Sequence, residues 1–162
     1  MSSAIYAGSF DPITNGHMSV IQSGLIVFDR IIVAVLINPG KNGLFAIEDR
    51  VRMIRESVGD ESRVEVDQFD GLLVEYANKK NVRVVLRGLR GGDFESELRM
   101  ANMNRHLSKG VETVFIAAND YFFVSSSLVK EAASLGGNVS DVVPEPVKKM
   151  LDKKFAKPAA SK

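Results

Sequence analysis

The chain of 162 residues contains no cysteine, which excludes disulfides, thiolate metal sites and cysteine nucleophiles. It also lacks an excess of charge of one sign, since 21 lysines and arginines stand against 20 acidic residues. No overall attraction to nucleic acid or to a membrane surface is therefore expected, and any anion-binding site must be a local arrangement. No apolar run approaches the ~20 residues that a membrane-spanning helix needs.

The two ends of the sequence carry few signals. The N-terminus has neither the basic region nor the long apolar region of a secretory signal, which together with the lack of cysteine favours a cytoplasmic protein. Residues 156–162 are small and polar, and we expect them to form a disordered tail after a single domain at 1–155. We interpret the basic run from Lys148 to Lys157 as a solvated helix face and tail rather than a nucleic-acid site.

Short apolar runs, most of them rich in β-branched residues, alternate with amphipathic stretches through most of the chain. Buried strands are predicted at 4–7, 31–37, 82–86 and 111–117, and a strand near the sheet edge at 64–67. Helical spacing recurs between them, with a long apolar face formed by Leu98, Met100, Met103 and Leu107. This order predicts an α/β, Rossmann-like, doubly wound sheet of about five parallel strands with helices on both faces.

The most informative stretch, GSFDPITNGH at 8–17, follows the first predicted strand directly. Ligands of open α/β sheets bind beyond the carboxyl ends of the strands. Gly8 lets the backbone approach a ligand, and Ser9 and Phe10 supply a hydroxyl and backbone N–H donors. A helix that begins near His17 directs N–H groups at the same crevice and places an imidazole against phosphates. The alternative is a histidine that only caps or packs against the helix.

Cationic side chains follow two other predicted strands. Lys41 lies in a Pro/Gly loop after the second strand, so its ammonium can reach the same crevice. Arg87 and Arg90 come just past the fourth strand, where two guanidiniums can clamp phosphate oxygens bidentately. The alternative is that these arginines pair with nearby acids such as Asp93 or Glu95.

Three consecutive serines at 125–127 follow the fifth predicted strand and precede an apolar helical run. One of them is expected to cap this helix, and the three together favour a second phosphate cradle, with capping alone as the alternative. Gly136 and Gly137 indicate the end of that helix, and a last helix is predicted around 147–155. His106 lies well along a predicted helix, away from the strand ends, and we interpret it as structural.

The stretch GSFDPITNGH resembles the T/HxGH signature of the nucleotidylyltransferase superfamily. Over nearly its full length, to about Leu151, the chain resembles the phosphopantetheine adenylyltransferases. The matching segments are 38–41, 87–90, 93–95, 103–107 and 124–131. The resemblance implies adenylyl transfer from ATP to 4′-phosphopantetheine, giving dephospho-coenzyme A and pyrophosphate by direct in-line displacement without a covalent intermediate.

The resemblance also implies individual roles. His17 is the catalytic residue, a stabiliser of the transition state. The acceptor-binding residues are Ser9, Lys41, Leu73 and Arg87. The ATP-binding residues are Ser9, Phe10, His17, Gly88, Leu89, Arg90, Glu97, Tyr121, Phe122, Phe123, Val124, Ser125, Ser126 and Ser127. The resemblance further implies that Mg²⁺ is carried in with ATP, that the subunits form a homohexamer, and that coenzyme A acts as a feedback ligand.

The segment at Gly91-Gly92 is one residue shorter than is usual in the family, and Ser96 stands where an aromatic is usual. Two other functions fit the residues less well. One is an adenylyltransferase for another acceptor, such as nicotinate mononucleotide, but Lys41 and the Arg-Gly-Leu-Arg segment at 87–90 fit phosphopantetheine. The other is a non-catalytic nucleotide-binding module, which has little use for both His17 and a separate acceptor-phosphate pair.

Overall fold

The structure is a computed structural model that describes residues 1–38, 40, 42–90, 92–117, 121 and 123–156. Strands and helices alternate along these residues. The strands are β1 (Ser3–Gly8), β2 (Arg30–Leu36), β3 (Val64–Phe69), β4 (Val84–Leu89) and β5 (Glu112–Ala117). The helices are α1 (Asn15–Val27), α2 (Ile47–Val58), α3 (Leu73–Lys79), α4 (Phe94–Leu107), α5 (Ser126–Ser134) and α6 (Glu145–Phe155).

The strands form one parallel sheet with the order β3-β2-β1-β4-β5. The chain runs outward from β1 to β3 and then returns to place β4 on the other side of β1. This reversal is the switch point at which doubly wound sheets bind ligands, and it lies between the carboxyl ends of β1 and β4. The predicted fold class and the edge position of β3 are both confirmed.

The central strands are buried on both faces, as parallel strands covered by helices are. Ile5 of β1 and Ile32 of β2 belong to a core on one face with α3, while Ile31 and Val33 belong to a core on the other face with α1, α2, α5 and α6. In the part of the chain that the structure describes, every helix is too short or too polar to cross a lipid bilayer.

Two of the boundaries that differ from the sequence prediction affect the candidate site. Pairing with β5 extends β4 to Leu89, so Arg87 and Gly88 belong to the strand, and Arg90 is the first residue beyond it. The first helix begins at Asn15, two residues before His17, because Thr14 caps it. Arg87 therefore belongs to a strand rather than to the residues just past it, and His17 lies in the first turn of α1, as predicted.

The long helix α4 was predicted correctly, but the structure leaves its apolar face unburied. Met100, Met103 and Leu107 are 57%, 53% and 49% exposed, whereas the polar Asn104 is the buried residue of the helix. Leu98 is 42% exposed as well. The helical spacing of these residues therefore does not mark the side that packs on the sheet.

The C-terminal part follows the prediction. The helix α5 ends before Gly136, which has a positive φ of 84°, and the Gly137 N–H donates to the Ala132 carbonyl at 2.8 Å. A glycine in this conformation is a common helix stop. The last helix, α6, begins after Pro144. Of the predicted tail, residues 157–162 lie outside the described residues, so its disorder stays a prediction.

Candidate active site

The loop after β1 folds back into the protein. Phe10 has a positive φ of 41° and is buried, with its ring edge-on to the His17 ring at a centroid distance of 5.1 Å. The Asp11–Pro12 peptide bond is cis, and Thr14 is completely buried. The loop thereby brings the start of α1 close to the end of β1.

His17 is fixed by a reciprocal cap at the start of α1. The Thr14 N–H donates to Nδ1 of His17 at 3.0 Å, and the Thr14 hydroxyl accepts from the His17 N–H at 3.4 Å. Because Nδ1 accepts a hydrogen bond, the proton of the neutral ring is on Nε2. His17, which the sequence predicts to contact the ligand, thus also caps α1, and the capping hydrogen bond determines the tautomer of its ring.

The surroundings of His17 keep its ring neutral. Burial is the main cause that lowers the pKa of His17 to about 4, and the positive charges of Arg90 and Arg87 lower it further. At neutral pH the ring therefore carries one proton, on Nε2, and acts as a hydrogen-bond donor rather than as a cation.

Arg87 and Arg90 are both ion-paired, as the alternative interpretation of the sequence expected, but Arg87 has a different partner. Arg87 forms a bidentate pair with Glu97, with N–O distances of 2.7 and 2.6 Å, and donates from Nη1 to the Ala7 carbonyl at 2.7 Å. The Glu97 hydrogen bonds raise the pKa of Arg87. Arg90 pairs with Asp93 at 2.7 Å.

Arg90 also connects β4 to the segment before α5. Its Nη1 donates to the Val124 carbonyl at 2.9 Å. The Arg90 guanidinium therefore links the end of β4 to Val124 of the predicted nucleotide segment.

A cavity of about 170 Å³ opens at the switch point. The predicted site residues that line it are Ser9, Phe10, His17, Arg87, Gly88, Arg90, Glu97, Tyr121 and Val124. The structure thus brings together residues from the loop after β1, from α1, from the end of β4, from α4 and from the segment before α5. Gly88 is required here, because a Cβ at this position would lie 2.6 Å from Cγ2 of Val20 on α1.

A second, larger cavity of about 670 Å³ lies next to the first, and Ser9 lines both. The start of α5 forms one side of it. Ser125 caps α5, since its hydroxyl accepts from the Leu128 N–H at 3.2 Å, which confirms that one serine is a cap. Ser126 and Ser127 line the cavity, and the Ser126 hydroxyl donates to the Pro12 carbonyl at 2.8 Å.

Asp11 carries no role in the sequence prediction, but its carboxylate joins four segments. It accepts from the N–H groups of Leu44 and Phe45 at 2.8 and 3.0 Å and from Nζ of Lys130 at 3.0 Å, and Nε of Arg50 lies 3.3 Å away. Burial alone would raise the pKa of Asp11, but these donors outweigh it and hold the pKa below its usual value.

No local sequence signal reveals this arrangement, because the partners of Asp11 lie 33 to 119 positions away.

Some predicted site residues lie elsewhere. Leu73, at the start of α3, packs against the core on the face opposite α1 and lines neither cavity. Leu89, Phe123 and Ser125 also line neither. Lys41 and Phe122, with Gly91 of the shortened segment, lie outside the described residues. His106 is exposed in the last turn of α4.

Comparisons with known proteins fit this arrangement. The cytidylyltransferase-like family model matches residues 5–132. A phosphopantetheine adenylyltransferase from Anaeromyxobacter sp. (strain K) is 52% identical over 160 residues, covering 98% of each chain. One from Desulfosudis oleivorans is 50% identical over 157 residues, which cover 96% of this chain and 94% of that one.

The fold is also found among solved structures. A structure from Vibrio parahaemolyticus, named as a nicotinate-nucleotide adenylyltransferase, matches 93% of this chain and 99% of its own with a TM-score of 0.67. At 17% identity this likeness shows a common fold and does not bear on the substrate.

Proposed function

The chain belongs to the phosphopantetheine adenylyltransferase family, and from that premise we propose that it transfers the adenylyl group of ATP to 4′-phosphopantetheine. The products are dephospho-coenzyme A and pyrophosphate. The observation that carries the proposal is the convergence of a neutral His17, Arg87 and Arg90 on one cavity at the switch point of the sheet. Such a cavity supplies several hydrogen-bond donors that can hold phosphate oxygens.

The reaction needs positioning more than it needs a general base. The acceptor phosphate is already an anion at neutral pH, and one of its oxygens attacks the α-phosphorus of ATP in line with the bond to the β-phosphate. That bond breaks, and pyrophosphate leaves with its electrons. The His17 Nε2–H donates to the α-phosphate oxygens, on which negative charge develops.

We propose that ATP binds around the N-termini of α1 and α5. Ser9, Phe10 and the N-terminus of α1 hold the phosphates near His17, and Arg90 neutralises their charge. The other residues proposed to contact ATP are Gly88, Leu89, Glu97, Tyr121, Phe122, Phe123, Val124, Ser125, Ser126 and Ser127. The hydrogen bond from Arg90 to Val124 holds the end of β4 next to this segment, which supports the proposal that both contact the same ATP molecule.

The acceptor side is proposed to consist of Arg87, Lys41, Ser9 and Leu73. Arg87 can bind the acceptor phosphate even while it is paired with Glu97, because a guanidinium has five N–H donors. Three are used by Glu97 and Ala7, which leaves two for a phosphate. Glu97 and the Ala7 carbonyl hold the planar group in place, so that little side-chain entropy is lost on binding.

Three further features belong to the proposal. Among the described residues no group of three or more His, Asp or Glu side chains could hold a metal ion, and we propose that Mg²⁺ enters with ATP. The protein is proposed to be cytoplasmic, with coenzyme A as a feedback ligand. A homohexamer, which the family resemblance implies, is also proposed, and the exposed apolar face that Met100, Met103 and Leu107 form on α4 supports association of subunits.

The proposal is tested by a pyrophosphate-release assay with ATP and Mg²⁺, comparing 4′-phosphopantetheine with nicotinate mononucleotide. Pyrophosphate release is expected with phosphopantetheine as the acceptor and not with nicotinate mononucleotide. Release with nicotinate mononucleotide alone would identify another acceptor specificity. Release with neither acceptor, in a protein that still binds ATP, would favour a non-catalytic nucleotide-binding module.

A further inference from the structure

Tyr6 lies in the middle of β1 and reaches the wall of the first cavity. The residue is only 4% exposed, and its ring contacts the Phe10 ring edge-on at a centroid distance of 5.3 Å and lies 6.2 Å from the His17 ring. Two residues proposed to bind ATP therefore flank the ring of Tyr6. Tyr6 therefore packs in the hydrophobic core and also lines the cavity.

The hydroxyl of Tyr6 makes no hydrogen bond to any residue that the structure describes, and it is not enclosed by protein but faces the cavity that Tyr6 lines. Tyrosines with a buried ring usually direct their hydroxyl at a protein partner. The contrast with Tyr76 is direct, since that residue is 8% exposed and donates to Asp67 at 2.8 Å. The hydroxyl of Tyr6 is thus available to a ligand.

The position of the hydroxyl selects the ligand. A Cβ on Gly88 would lie 3.7 Å from the Tyr6 oxygen, so this hydroxyl lies close to Gly88 at the wall of the cavity. Gly88 is itself proposed to contact ATP. Burial, the main cause, raises the pKa of Tyr6 despite the charges of Arg87 and Arg90, so the hydroxyl stays protonated and can donate.

We propose that the Tyr6 hydroxyl donates a hydrogen bond to an oxygen atom of the bound adenine nucleotide, which makes Tyr6 a further nucleotide-binding residue. The inference rests on the proposed function only in taking the cavity as the ATP site. The Tyr6 ring lies next to Phe10 and His17, and its hydroxyl lies close to Gly88. Because these three residues are on the proposed ATP side, we place the partner on the nucleotide; a rise in KM for the acceptor alone would contradict this choice.

The test is Tyr6→Phe, which keeps the ring packing and removes one oxygen atom. Binding of ATP is measured by titration calorimetry with no acceptor present. A dissociation constant about ten-fold higher than in the wild type is expected, the factor that corresponds to ~1.4 kcal/mol and to a typical hydrogen bond. In the assay, KM for ATP should rise similarly, while KM for the acceptor and kcat at saturating ATP change by less than about three-fold.

The matched control is Tyr76→Phe, which removes a buried hydroxyl with a known protein partner. It is expected to lower thermal stability and to leave ATP binding unchanged. Tyr6→Phe should show the opposite pattern, with unchanged thermal stability and weaker ATP binding. An ATP dissociation constant within two-fold of the wild type in Tyr6→Phe overturns the inference.

Titrations with 2′-deoxy-ATP and 3′-deoxy-ATP identify the acceptor oxygen. If the effect of Tyr6→Phe disappears with one of them, the partner is that ribose hydroxyl, which supports the inference. If it persists with both, the partner is a phosphate oxygen, the ring oxygen or an adenine nitrogen; the first two support the inference, and an adenine nitrogen contradicts the choice of an oxygen atom. A wild-type protein that binds ATP through Tyr6 but releases no pyrophosphate refutes only the proposed function. A wild type that does not bind ATP refutes both.

Discussion

One imidazole both caps α1 and lines the cavity. The Thr14 N–H occupies Nδ1 of His17, and this leaves Nε2–H as the hydrogen-bond donor for a ligand. A neutral donor suits the proposed chemistry, because it needs no proton transfer while charge develops on the α-phosphate. The second histidine, His106, is exposed and lies outside this arrangement, which makes it a natural control.

Replacement of His17 by alanine is expected to lower kcat by on the order of 10² to 10³, the usual cost of losing one such donor. ATP binding should survive, since Ser9, Phe10 and Arg90 remain. Pyrophosphate release gives kcat, and calorimetry gives the affinity. His106→Ala should match the wild type in both measurements, whereas near-wild-type turnover in His17→Ala would exclude the proposed role.

The lowered pKa of His17 predicts how stability depends on pH. The folded protein binds this proton only below about pH 4, whereas an unfolded histidine binds it below its model value of 6.5. Between these values the unfolded state holds more protons, so the free energy of unfolding falls as the pH falls. The stability that the neutral His17 contributes is fully present above pH 6.5 and is lost as the pH falls toward 4.

This is measured by urea unfolding at pH 7 and pH 5. The wild type should lose stability between the two pH values, and His17→Gln should lose clearly less, because it has no histidine to protonate. His106→Gln is expected to follow the wild type. Equal pH slopes in all three proteins would show that His17 is not held neutral by the fold.

At the scale of the elements, Asp11 holds together the parts that carry the site. Its carboxylate receives hydrogen bonds from the backbone of the loop before α2 and from Lys130 on α5, and it lies next to Arg50 on α2. The loops after β1 and β2 and the start of α5 are therefore attached to one another. The second cavity is bounded by these same segments.

Asp11→Ala is expected to destabilise the protein by about 3–5 kcal/mol, since removing one partner leaves buried cations uncompensated. Asp11→Asn should cost less, because its carbonyl oxygen still accepts a backbone hydrogen bond. Urea unfolding at pH 7 gives the values. Glu145→Ala, which breaks the exposed pair with Lys149, serves as the control and should have little effect. A stable Asp11→Ala would mean that these segments do not depend on one another.

At the scale of the whole molecule, the exposed apolar face of α4 bears on assembly. Met100, Met103 and Leu107 lie on one side of the helix, at the i, i+3 and i+7 spacing. Each is about half exposed, and large contiguous apolar patches on soluble proteins mark interaction surfaces. This is the surface that we propose for contacts within the homohexamer.

Met103→Lys is expected to reduce the mass in solution from that of a hexamer to that of smaller species, because it places a charge in an apolar contact. Sedimentation velocity or light scattering measures the mass. Asn102→Lys adds the same charge on another side of α4, where the residue is exposed, and should leave the assembly intact. An unchanged hexamer in Met103→Lys would move the interface to another surface.

Periodicity and local motifs predict much of this molecule, and contacts distant in sequence account for the rest. The strands, the edge position of β3 and the capping serine follow from patterns within a few residues. The inclusion of Arg87 in β4 depends on pairing with β5, and the exposure of Met103 depends on which side of α4 faces the sheet. The role of Asp11 depends on Lys130, 119 positions further along the chain.

The strand order has a consequence for synthesis on the ribosome. The strands β1, β2 and β3 are neighbours both in the chain and in the sheet, so a nascent chain that has emerged as far as Phe69 contains three strands able to pair. One edge of β1 then stays open until β4 emerges, and an open strand edge is a template for wrong pairing. The edge of β1 that is open to wrong pairing during synthesis is therefore the same edge at which the active site is later completed.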